Sequence, residues 1–132
     1  DSEVTGFNRA NLDLEVFTAE ELAAQLEGFR VIINAVAYTA VDKAETELFE
    51  ANSANGIIAG KLAQAAALLG ARFMHISTDY VFDGMGKTPY LVTDQVNPQS
   101  EYGRSKALGE QLIAESGANY TIFRTAWLYG AF

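Results

Sequence analysis

Three short apolar runs, rich in β-branched or aromatic residues, recur along this chain at intervals that leave room for a helix between them. They span residues 30–35, 72–77 and 120–125. Near-continuous apolar runs are typical of parallel strands that are buried on both faces. Helices that connect parallel strands form right-handed crossovers. The pattern therefore predicts an α/β fold with a doubly wound parallel sheet.

The segments between these runs carry helix signals. Residues 18–26 begin with a capping box, formed by a threonine and a glutamate three residues later, and a glycine follows the segment. Residues 39–69 predict one long helix, in which the poor helix formers at 52–56 predict a kink. The G-x-x-x-G at 56–60 favours close packing against another helix. Residues 102–115 predict the last helix.

Less regular segments lie before the first helix and before the last. Residues 3–7 predict a strand, and residues 12–14 predict a brief extended piece. Residues 79–100 predict a long connection that contains both prolines of the chain. Connections of this length inside a compact domain are usually functional or disordered, and the aromatic content of this one favours an ordered loop.

Composition limits the classes of function. A length of 132 residues corresponds to about one domain. The formal net charge of −8 and the scattered basic residues argue against binding to nucleic acid. The absence of cysteine excludes a disulfide framework and a thiolate nucleophile, and it favours a cytoplasmic location. No apolar run approaches the ~20 residues that a membrane span needs, so we expect no membrane partner.

Tyr102 and Lys106 are the first candidates for chemistry. They lie four residues apart at the start of the last predicted helix, which places both side chains on one face. The pKa of an ordinary phenol is about 10, and a fixed ammonium nearby favours the phenolate. We therefore expect Lys106 to lower the pKa of Tyr102, and the pair to exchange a proton with an oxygen on a reacting carbon. Lys106 also has N–H donors to spare for the hydroxyls of a cofactor ribose.

Thr78 and Asp79 directly follow the second predicted strand. In an open α/β sheet, ligands bind at the carboxyl ends of the strands, so these two side chains are candidates for contacting a substrate. The alternatives are a strand-ending hydrogen bond for Thr78 and a turn cap for Asp79. His75 is the only histidine, and we interpret it as a packed strand residue rather than a metal ligand. No metal site is predicted.

Four motifs follow one another along the chain. They are N-A-V-A-Y-T-A-V-D-K-A-E at 34–45, H-I-S-T-D-Y-V-F-D-G at 75–84, P-Q-S-E-Y-G-R-S-K at 98–106 and R-T-A-W-L-Y-G at 124–130. In this order they resemble the extended short-chain dehydrogenase/reductase superfamily and, within it, the family of dTDP-4-dehydrorhamnose reductases. The resemblance implies a Rossmann-like, NAD(P)-binding sheet. It also implies an enzyme that reduces the 4-keto group of dTDP-4-dehydro-6-deoxy-L-mannose to give dTDP-L-rhamnose.

The resemblance assigns roles to individual residues. By it, Tyr102 donates the proton to the keto oxygen, and Lys106 lowers the pKa of Tyr102 and holds the nicotinamide ribose. Thr78 is implied to donate a hydrogen bond to the same oxygen. Asp79 and Trp127 are implied to contact the dTDP-sugar substrate, and the alternative for Trp127 is a place in the core.

The resemblance also implies a site for NADPH or NADH. Ala37, Tyr38 and Thr39 correspond to the backbone that passes the dinucleotide, and Asp13 and Leu14 correspond to the segment near its adenine half. Relatives are often homodimers, some with Mg²⁺ at the interface, although no spacing in this sequence demands that ion.

The amino-terminal part departs from the superfamily pattern. The superfamily begins with a strand, a Gly-rich turn and a helix that takes the pyrophosphate, and this sequence contains no such fingerprint. We therefore interpret residues 1–132 as a partial dinucleotide-binding reductase domain from the interior of a longer enzyme. Asn8 and Arg9 follow the first predicted strand, where a basic side chain would accept a 2′-phosphate, which tilts the prediction towards NADPH.

Other functions stay open from the sequence. One is another nucleotide-sugar epimerase, dehydratase or reductase of the same superfamily. A second is a non-catalytic subunit similar to the regulatory subunit of methionine adenosyltransferase, against which the set Thr78, Tyr102 and Lys106 argues. A third is that the fragment has no activity by itself.

Overall fold

The three predicted strands form one parallel sheet in a computed structural model of the chain, which describes residues 3–128 and residue 130. The middle strand of the sheet is also the second in sequence, so the order is β1-β2-β3. Parallel strands need crossover connections, and helices supply them. The elements in chain order are α1 (Ala19–Gln25), β1 (Val31–Asn34), α2 (Val41–Ala44), α3 (Leu48–Asn52), α4 (Ile58–Leu69), β2 (Arg72–Thr78), α5 (Glu101–Glu115) and β3 (Asn119–Thr125). The predicted α/β class is confirmed.

The core lies between one face of this sheet and the helices α1, α4 and α5. It is built mainly from alanine and branched aliphatic side chains, with Phe73 of β2 fully buried at its centre. The expectation that the strands are buried on both faces is wrong for β1. Val31 is 46% and Ile33 is 63% exposed, whereas Ile32 between them is buried. The described helices cover only the face that carries Ile32, because neighbouring residues of a strand point to opposite faces.

The two extended pieces predicted before α1 are also wrong. Residues 3–7 and 12–14 form no strand, and β1 is hydrogen-bonded only to β2 within the described residues. A strand needs a neighbour to satisfy its backbone groups. Turn hydrogen bonds satisfy part of this segment instead, since Asn8 Oδ1 accepts from the backbone N–H of Ala10 and Asn11 Oδ1 accepts from that of Asn8. Asparagine side chains commonly form such turns.

The long helix predicted over residues 39–69 is divided. It forms α2, a turn, α3, a π-helical turn at Ser53–Ile57 and then α4. The π turn falls on the region where the sequence predicts a kink, and it interrupts the α-helical hydrogen bonding there. The G-x-x-x-G also packs as predicted, because a Cβ added at Gly56 or Gly60 would lie 2.7 Å from Leu108 or Leu112 of α5.

Helix ends agree with the local signals. Thr18 accepts from the backbone N–H of Glu21 while the Glu21 carboxylate accepts from that of Thr18, which confirms the capping box. Gly70 ends α4 in the left-handed conformation with φ of 64°, where glycine avoids the strain that other residues meet. None of the helices in the described part of the chain has the length and apolar character needed to cross a bilayer.

The long connection between β2 and α5 begins with a 3₁₀ turn at Asp79–Val81 and is held by its aromatic side chains. The rings of Phe82 and Tyr90 stack with centroids 4.2 Å apart, and the Tyr90 hydroxyl donates to Asp83 Oδ1. The guanidinium of Arg124 lies 4.9 Å above the Phe82 ring. The loop is therefore tied to β3 on the side of the sheet that carries α5.

Candidate active site

The carboxyl end of β2 meets the amino end of α5. Thr78 is the last residue of β2, and Tyr102 lies in the first turn of α5. Ser100 caps this helix by accepting from the backbone N–H of Gly103, at 3.1 Å. A Cβ at Gly103 would lie 2.3 Å from the carbonyl oxygen of Tyr80, so only glycine permits the helix to approach the 3₁₀ turn this closely. The backbone contacts thus bring Tyr102 beside Thr78.

The phenol of Tyr102 is half-buried between this turn and the sheet edge. Its ring meets the ring of Tyr80 edge to face, with centroids 5.7 Å apart. Burial raises the pKa of Tyr102, a hydrogen bond with Thr78 opposes that rise, and the nearby Asp79 carboxylate adds to it. The expectation that Lys106 lowers the pKa of Tyr102 is therefore wrong for this structure. Desolvation of the phenolate is the dominant effect, and the ammonium of Lys106 is directed elsewhere.

Lys106 is buried in the interior, with 1% of its surface exposed. Its Nζ donates to the carbonyl oxygen of Ile76 at 2.7 Å and lies 3.3 Å from His75 Nε2. Burial lowers the pKa of Lys106 to about 8, although the Glu110 carboxylate acts in the opposite direction. A lysine in this state can gain or lose a proton near neutral pH.

His75 is fully buried against Lys106, on the helix-covered face of β2. The interpretation as a packed strand residue agrees with its burial and with its stacking on Phe73, but it missed the contact with Lys106. The other nitrogen of the ring, Nδ1, lies 3.1 Å from Nδ2 of Asn34, the last residue of β1. Burial and the nearby Lys106 lower the pKa of His75 to about 3.

Asn55, in the π turn, joins α5 to the segment that follows β1. Its Oδ1 accepts from the backbone N–H of Tyr38 at 2.8 Å, and its Nδ2 donates to the Tyr38 carbonyl at 3.0 Å. The same Nδ2 is 2.9 Å from Ser105 Oγ, which in turn donates to the carbonyl oxygen of Tyr102. One buried side chain thus fixes the backbone at Tyr38 relative to the helix that carries Tyr102.

Sequence reasoning missed Asn34 and Asn55 as parts of the site. The signal for Asn34 was an amide at the end of an otherwise apolar strand run, where a buried polar side chain needs a partner. The signal for Asn55 was a cluster of poor helix formers, which sequence reasoning treated only as a kink.

The residues predicted to pass a dinucleotide lie beyond the carboxyl end of β1. Ala37 and Thr39 are exposed beyond the carboxyl end of β1, where short side chains let a ligand approach the backbone. The backbone of Tyr38 is already hydrogen-bonded by Asn55, so the segment is held in place. The hydroxyl of Tyr38 donates to Glu47, and that hydrogen bond raises the pKa of Tyr38 to about 12.

The remaining predicted residues lie farther from Tyr102 in the hydrogen-bond network. Asp13 pairs with Arg9, at 3.6 Å, and the carbonyl of Leu14 accepts from Lys61 Nζ at 2.6 Å. Both belong to the turn before α1, and no hydrogen bond joins them to α5 among the described contacts. Trp127 follows β3, has φ of 50° and is 89% exposed, so the alternative of a core position is wrong.

Thr78 and Asp79 also satisfy the simpler alternatives. The hydroxyl of Thr78 accepts from the backbone N–H of Tyr80 and donates to Asp79 Oδ1, each at 3.2 Å. Asp79 is exposed at the start of the 3₁₀ turn. These local hydrogen bonds orient the Thr78 hydroxyl at the sheet edge beside Tyr102.

Metal-ligating side chains do not gather at this site. Across residues 3–128 and 130, no three His, Asp or Glu side chains lie close enough together to hold an ion. The described part of the chain therefore offers no support for Mg²⁺.

The buried, neutral state of His75 predicts a specific loss of stability in acid. The pKa of His75 is 6.5 in the unfolded chain and about 3 in the fold, so the unfolded chain binds more protons below pH 6.5. Stability should fall as the pH drops from 6.5 towards 3, by at most about 5 kcal/mol from this group. Urea unfolding at a series of pH values, compared with His75→Gln, isolates the contribution. Parallel curves for the two proteins would contradict it.

The parallel sheet and the groups at its edge indicate the class of protein. Parallel strands joined by helices, with hydroxyl, phenol and amine groups at the carboxyl end of β2, are typical of Rossmann-like nucleotide-binding domains. The family model described as the RmlD substrate binding domain matches residues 1–132. The chain belongs to this family, and the resemblance predicted from the four motifs is confirmed.

Relatives of known name agree with this family. The chain is 42% identical over 132 residues to a dTDP-4-dehydrorhamnose reductase of Sinorhizobium fredii, which covers all of this chain and 45% of that protein. It is 48% identical over 99 residues to the dTDP-4-dehydrorhamnose reductase of Shigella flexneri, covering 75% of this chain and 33% of that one. The chain therefore spans less than half the length of these relatives.

Solved structures agree with the fold. A dTDP-4-dehydrorhamnose reductase from Clostridium acetobutylicum has a TM-score of 0.89 at 42% identity, covering 97% of this chain and 46% of that one. One from Bacillus anthracis, in complex with NADP, also has a TM-score of 0.89, at 37% identity, covering 98% of this chain and 46% of that one. The predicted Rossmann-like class is thereby confirmed.

Proposed function

We propose that the natural protein that carries this chain is an NAD(P)H-dependent dTDP-4-dehydrorhamnose reductase. It would reduce the 4-keto group of dTDP-4-dehydro-6-deoxy-L-mannose to give dTDP-L-rhamnose. The observation that carries the proposal is the meeting of β2 and α5, which places the Thr78 hydroxyl beside the Tyr102 phenol. The Lys106 amine is buried one turn farther along α5, on the Ile76 carbonyl. Family membership and the names of the relatives support the choice of reaction and of sugar.

Tyr102 is the proposed proton donor. Its raised pKa keeps the phenol protonated at neutral pH, so the proton is available for transfer to an oxygen that gains negative charge. The Thr78 hydroxyl lies beside it and now donates its one proton to Asp79 Oδ1. On turning away from Asp79, it would donate a second hydrogen bond to the same oxygen. Lys106 lies one turn farther along α5, and its Nζ is held by the Ile76 carbonyl. It would reach the phenolate that Tyr102 leaves, or the hydroxyls of a ribose, only by turning away from that carbonyl when substrate and cofactor bind.

The residues around the end of β1 would hold the dinucleotide. When bound, a reduced nicotinamide cofactor supplies the hydride that this reaction needs. Ala37 and Thr39 would flank it, and the backbone of Tyr38 would be kept in position by Asn55. Asp13 and Leu14 would contact the adenine half.

NADPH is the proposed preference over NADH. Arg9 lies in the turn before α1 rather than after a strand, and its guanidinium pairs with Glu15 at 2.7 Å. It would accept a 2′-phosphate by exchanging that carboxylate for the phosphate. The relative from Bacillus anthracis was solved with NADP, which agrees with this preference.

The substrate would lie on the open side of Tyr102. Asp79 and Trp127 are both exposed near the carboxyl ends of β2 and β3. A carboxylate can accept hydrogen bonds from sugar hydroxyls, and an exposed indole offers a flat apolar surface for a sugar or a base. We propose them as contacts to the dTDP-sugar. A cytoplasmic location, assembly as a homodimer and a role for Mg²⁺ stay predictions.

An assay of the natural protein tests the proposed function. With the keto sugar and NADPH, we expect oxidation of the cofactor in step with formation of dTDP-L-rhamnose. Turnover of a different nucleotide sugar, and not of this one, would instead indicate another enzyme of the superfamily. Binding of a partner protein without turnover of any nucleotide sugar would indicate a regulatory subunit.

Replacing Thr78 by valine should lower kcat about 10²-fold, because the hydroxyl that stabilises the developing oxyanion is lost while the shape is kept. The matched control is Thr121→Val in β3, where the hydroxyl contacts only the Arg72 side chain, at 3.3 Å. Steady-state kinetics with the keto sugar and NADPH measure both variants. Equal kcat values for Thr78→Val and the wild-type protein would remove Thr78 from the mechanism.

A further inference from the structure

Three buried polar side chains form a line that runs from the end of β1, through β2, to α5. Asn34, His75 and Lys106 are 2%, 0% and 1% exposed, respectively. Their nitrogen atoms are in contact, with 3.1 Å between Asn34 Nδ2 and His75 Nδ1 and 3.3 Å between His75 Nε2 and Lys106 Nζ. Because a buried polar group without a partner is costly, each contact needs one donor and one acceptor. That requirement fixes where the protons lie.

The amide of Asn34 determines which groups donate and which accept in this line of hydrogen bonds. Its Oδ1 accepts from the backbone N–H of Val36 at 2.9 Å, so Oδ1 is committed to that side. Its Nδ2 therefore faces His75, and an amide nitrogen can only donate. His75 Nδ1 must be the acceptor, which means that it carries no proton.

The ring of His75 is then a donor towards Lys106. A neutral imidazole carries one proton, and with Nδ1 unprotonated that proton lies on Nε2. Nε2 faces Lys106 Nζ. The imidazolium form is disfavoured, because it would turn an N–H at Nδ1 against the N–H of Asn34.

Lys106 can accept this hydrogen bond only as a neutral amine. An ammonium has three N–H donors and no lone pair, so it would place an N–H against the N–H of His75. A neutral amine has one lone pair for His75 and still donates to the carbonyl of Ile76. Burial already favours the neutral amine of Lys106 over the ammonium. The hydrogen bond from His75 adds to that preference.

We propose that His75, held by Asn34 with its proton on Nε2, is a positioning residue that sets the protonation state of Lys106. The amide, the imidazole and the amine form a one-way sequence of hydrogen bonds that ends at the Ile76 carbonyl. The lowered pKa of His75 agrees with a neutral imidazole in this arrangement.

The other charged groups around Lys106 act differently. Glu110, one turn farther along α5, favours the ammonium, but its carboxylate is already held by Arg124 of β3 and by Ser77 of β2. Tyr102, on the same face of α5, keeps a protonated phenol. The contribution of β1 is Asn34, which is neutral and does not touch Lys106. Of the groups around Lys106, His75 is therefore the one that opposes the ammonium.

The direct test is nitrogen NMR of His75 in the natural protein, with ¹⁵N-labelled histidine. Loss of a resonance in His75→Gln assigns it. We expect Nδ1 to appear as an unprotonated nitrogen and Nε2 as a protonated one from pH 6 to pH 9. A proton on Nδ1, or an imidazolium at pH 7, would overturn the proposal.

The second test reverses which groups donate and which accept in the hydrogen bonds between residue 34, His75 and Lys106. In Asn34→Asp, both carboxylate oxygens accept, so His75 must donate from Nδ1 and offer Nε2 as an acceptor to Lys106. We expect the pKa of Lys106, followed by ¹³C NMR of its Cε, to rise by about one unit or more. Asn55→Asp is the matched control for added charge, because Asn55 contacts Tyr38 and Ser105 and leaves His75 with its amide partner.

His75→Gln gives an independent variant should Asn34→Asp fold poorly. The oxygen of its amide would accept from Asn34 Nδ2, so its NH2 would face Lys106 and the pKa of Lys106 should stay lowered. A Lys106 pKa that rises in His75→Gln as much as in Asn34→Asp, or equal rises in Asn34→Asp and Asn55→Asp, would overturn the proposal.

The consequence for turnover rests on the proposed function, but neither NMR measurement does. If the protein is a reductase, the pH limb of kcat that reports Lys106 should move upward in Asn34→Asp by the same amount as the NMR titration. A protein without reductase activity that still shows the Nε2–H tautomer and the shifted titration would contradict the proposed function and leave this inference standing.

Discussion

Replacing Tyr102 by phenylalanine is expected to lower kcat for the keto sugar by about 10²- to 10⁴-fold, the range that a well-placed general acid contributes. The variant keeps the ring that packs edge to face on Tyr80, and it removes only the proton that the keto oxygen would receive. The KM for the sugar should change much less than kcat, since the lost interaction belongs to the transition state. Steady-state kinetics with NADPH measure both constants.

The same change far from the site serves as the control. Tyr120 of β3 pairs with Phe73 of β2, towards the opposite end of the sheet from Thr78. Tyr120→Phe removes one hydroxyl and should leave kcat within about twofold, because surface changes of this size rarely alter a distant site. A Tyr102→Phe variant that retains the kcat of Tyr120→Phe would exclude Tyr102 as the proton donor.

Replacing Gly109 by alanine is expected to destabilise the fold by about 3 kcal/mol or more. An added Cβ would lie 2.1 Å from the carbonyl oxygen of Asn55, which is backbone and cannot rotate away. To relieve the overlap, α5 must move away from the π turn, and this shift would also strain the hydrogen bond between Asn55 and Ser105. Urea unfolding, followed by far-UV circular dichroism, measures the loss.

Gly6 supplies the matched control for this substitution. A Cβ at Gly6 would meet nothing within 4 Å, and its φ lies outside the left-handed range. Gly6→Ala should therefore change the free energy of unfolding by less than about 0.5 kcal/mol. Equal stabilities of Gly109→Ala and Gly6→Ala would show that α5 and the π turn are not in the close contact described here.

The elements with strong local signals could be predicted from the sequence. The capping box at Thr18, the glycine after α4 and the apolar runs of β1, β2 and β3 specify their own structure through neighbouring residues. The wrong predictions concern segments whose structure depends on contacts with distant parts of the chain. Residues 3–7 have strand-like composition, but a strand requires a hydrogen-bonding neighbour, and composition does not provide one.

In the candidate site, too, local features could be predicted from the sequence and features that depend on distant residues could not. The spacing of Tyr102 and Lys106 along one helix predicts that they share a face, but it does not say where the amine points. The direction of Lys106 depends on the Ile76 carbonyl and on His75, which lie 30 and 31 residues away in sequence. The predicted sign of the pKa shift of Tyr102 was wrong for that reason, since burial of the phenol then dominates.

The π turn at Ser53–Ile57 lets a helix carry one extra residue without changing the direction of its two halves. A π turn holds one residue more than an α-helical turn, and that residue is taken up within the widened turn. Helices α3 and α4 therefore keep nearly the faces that they would have in one continuous α-helix. Asn55 lies in the widened turn and reaches Tyr38, while Gly60 of α4 still faces α5. Loss of one residue here would remove the turn that directs Asn55 at Tyr38 and leave the packing of α4 against α5 in place.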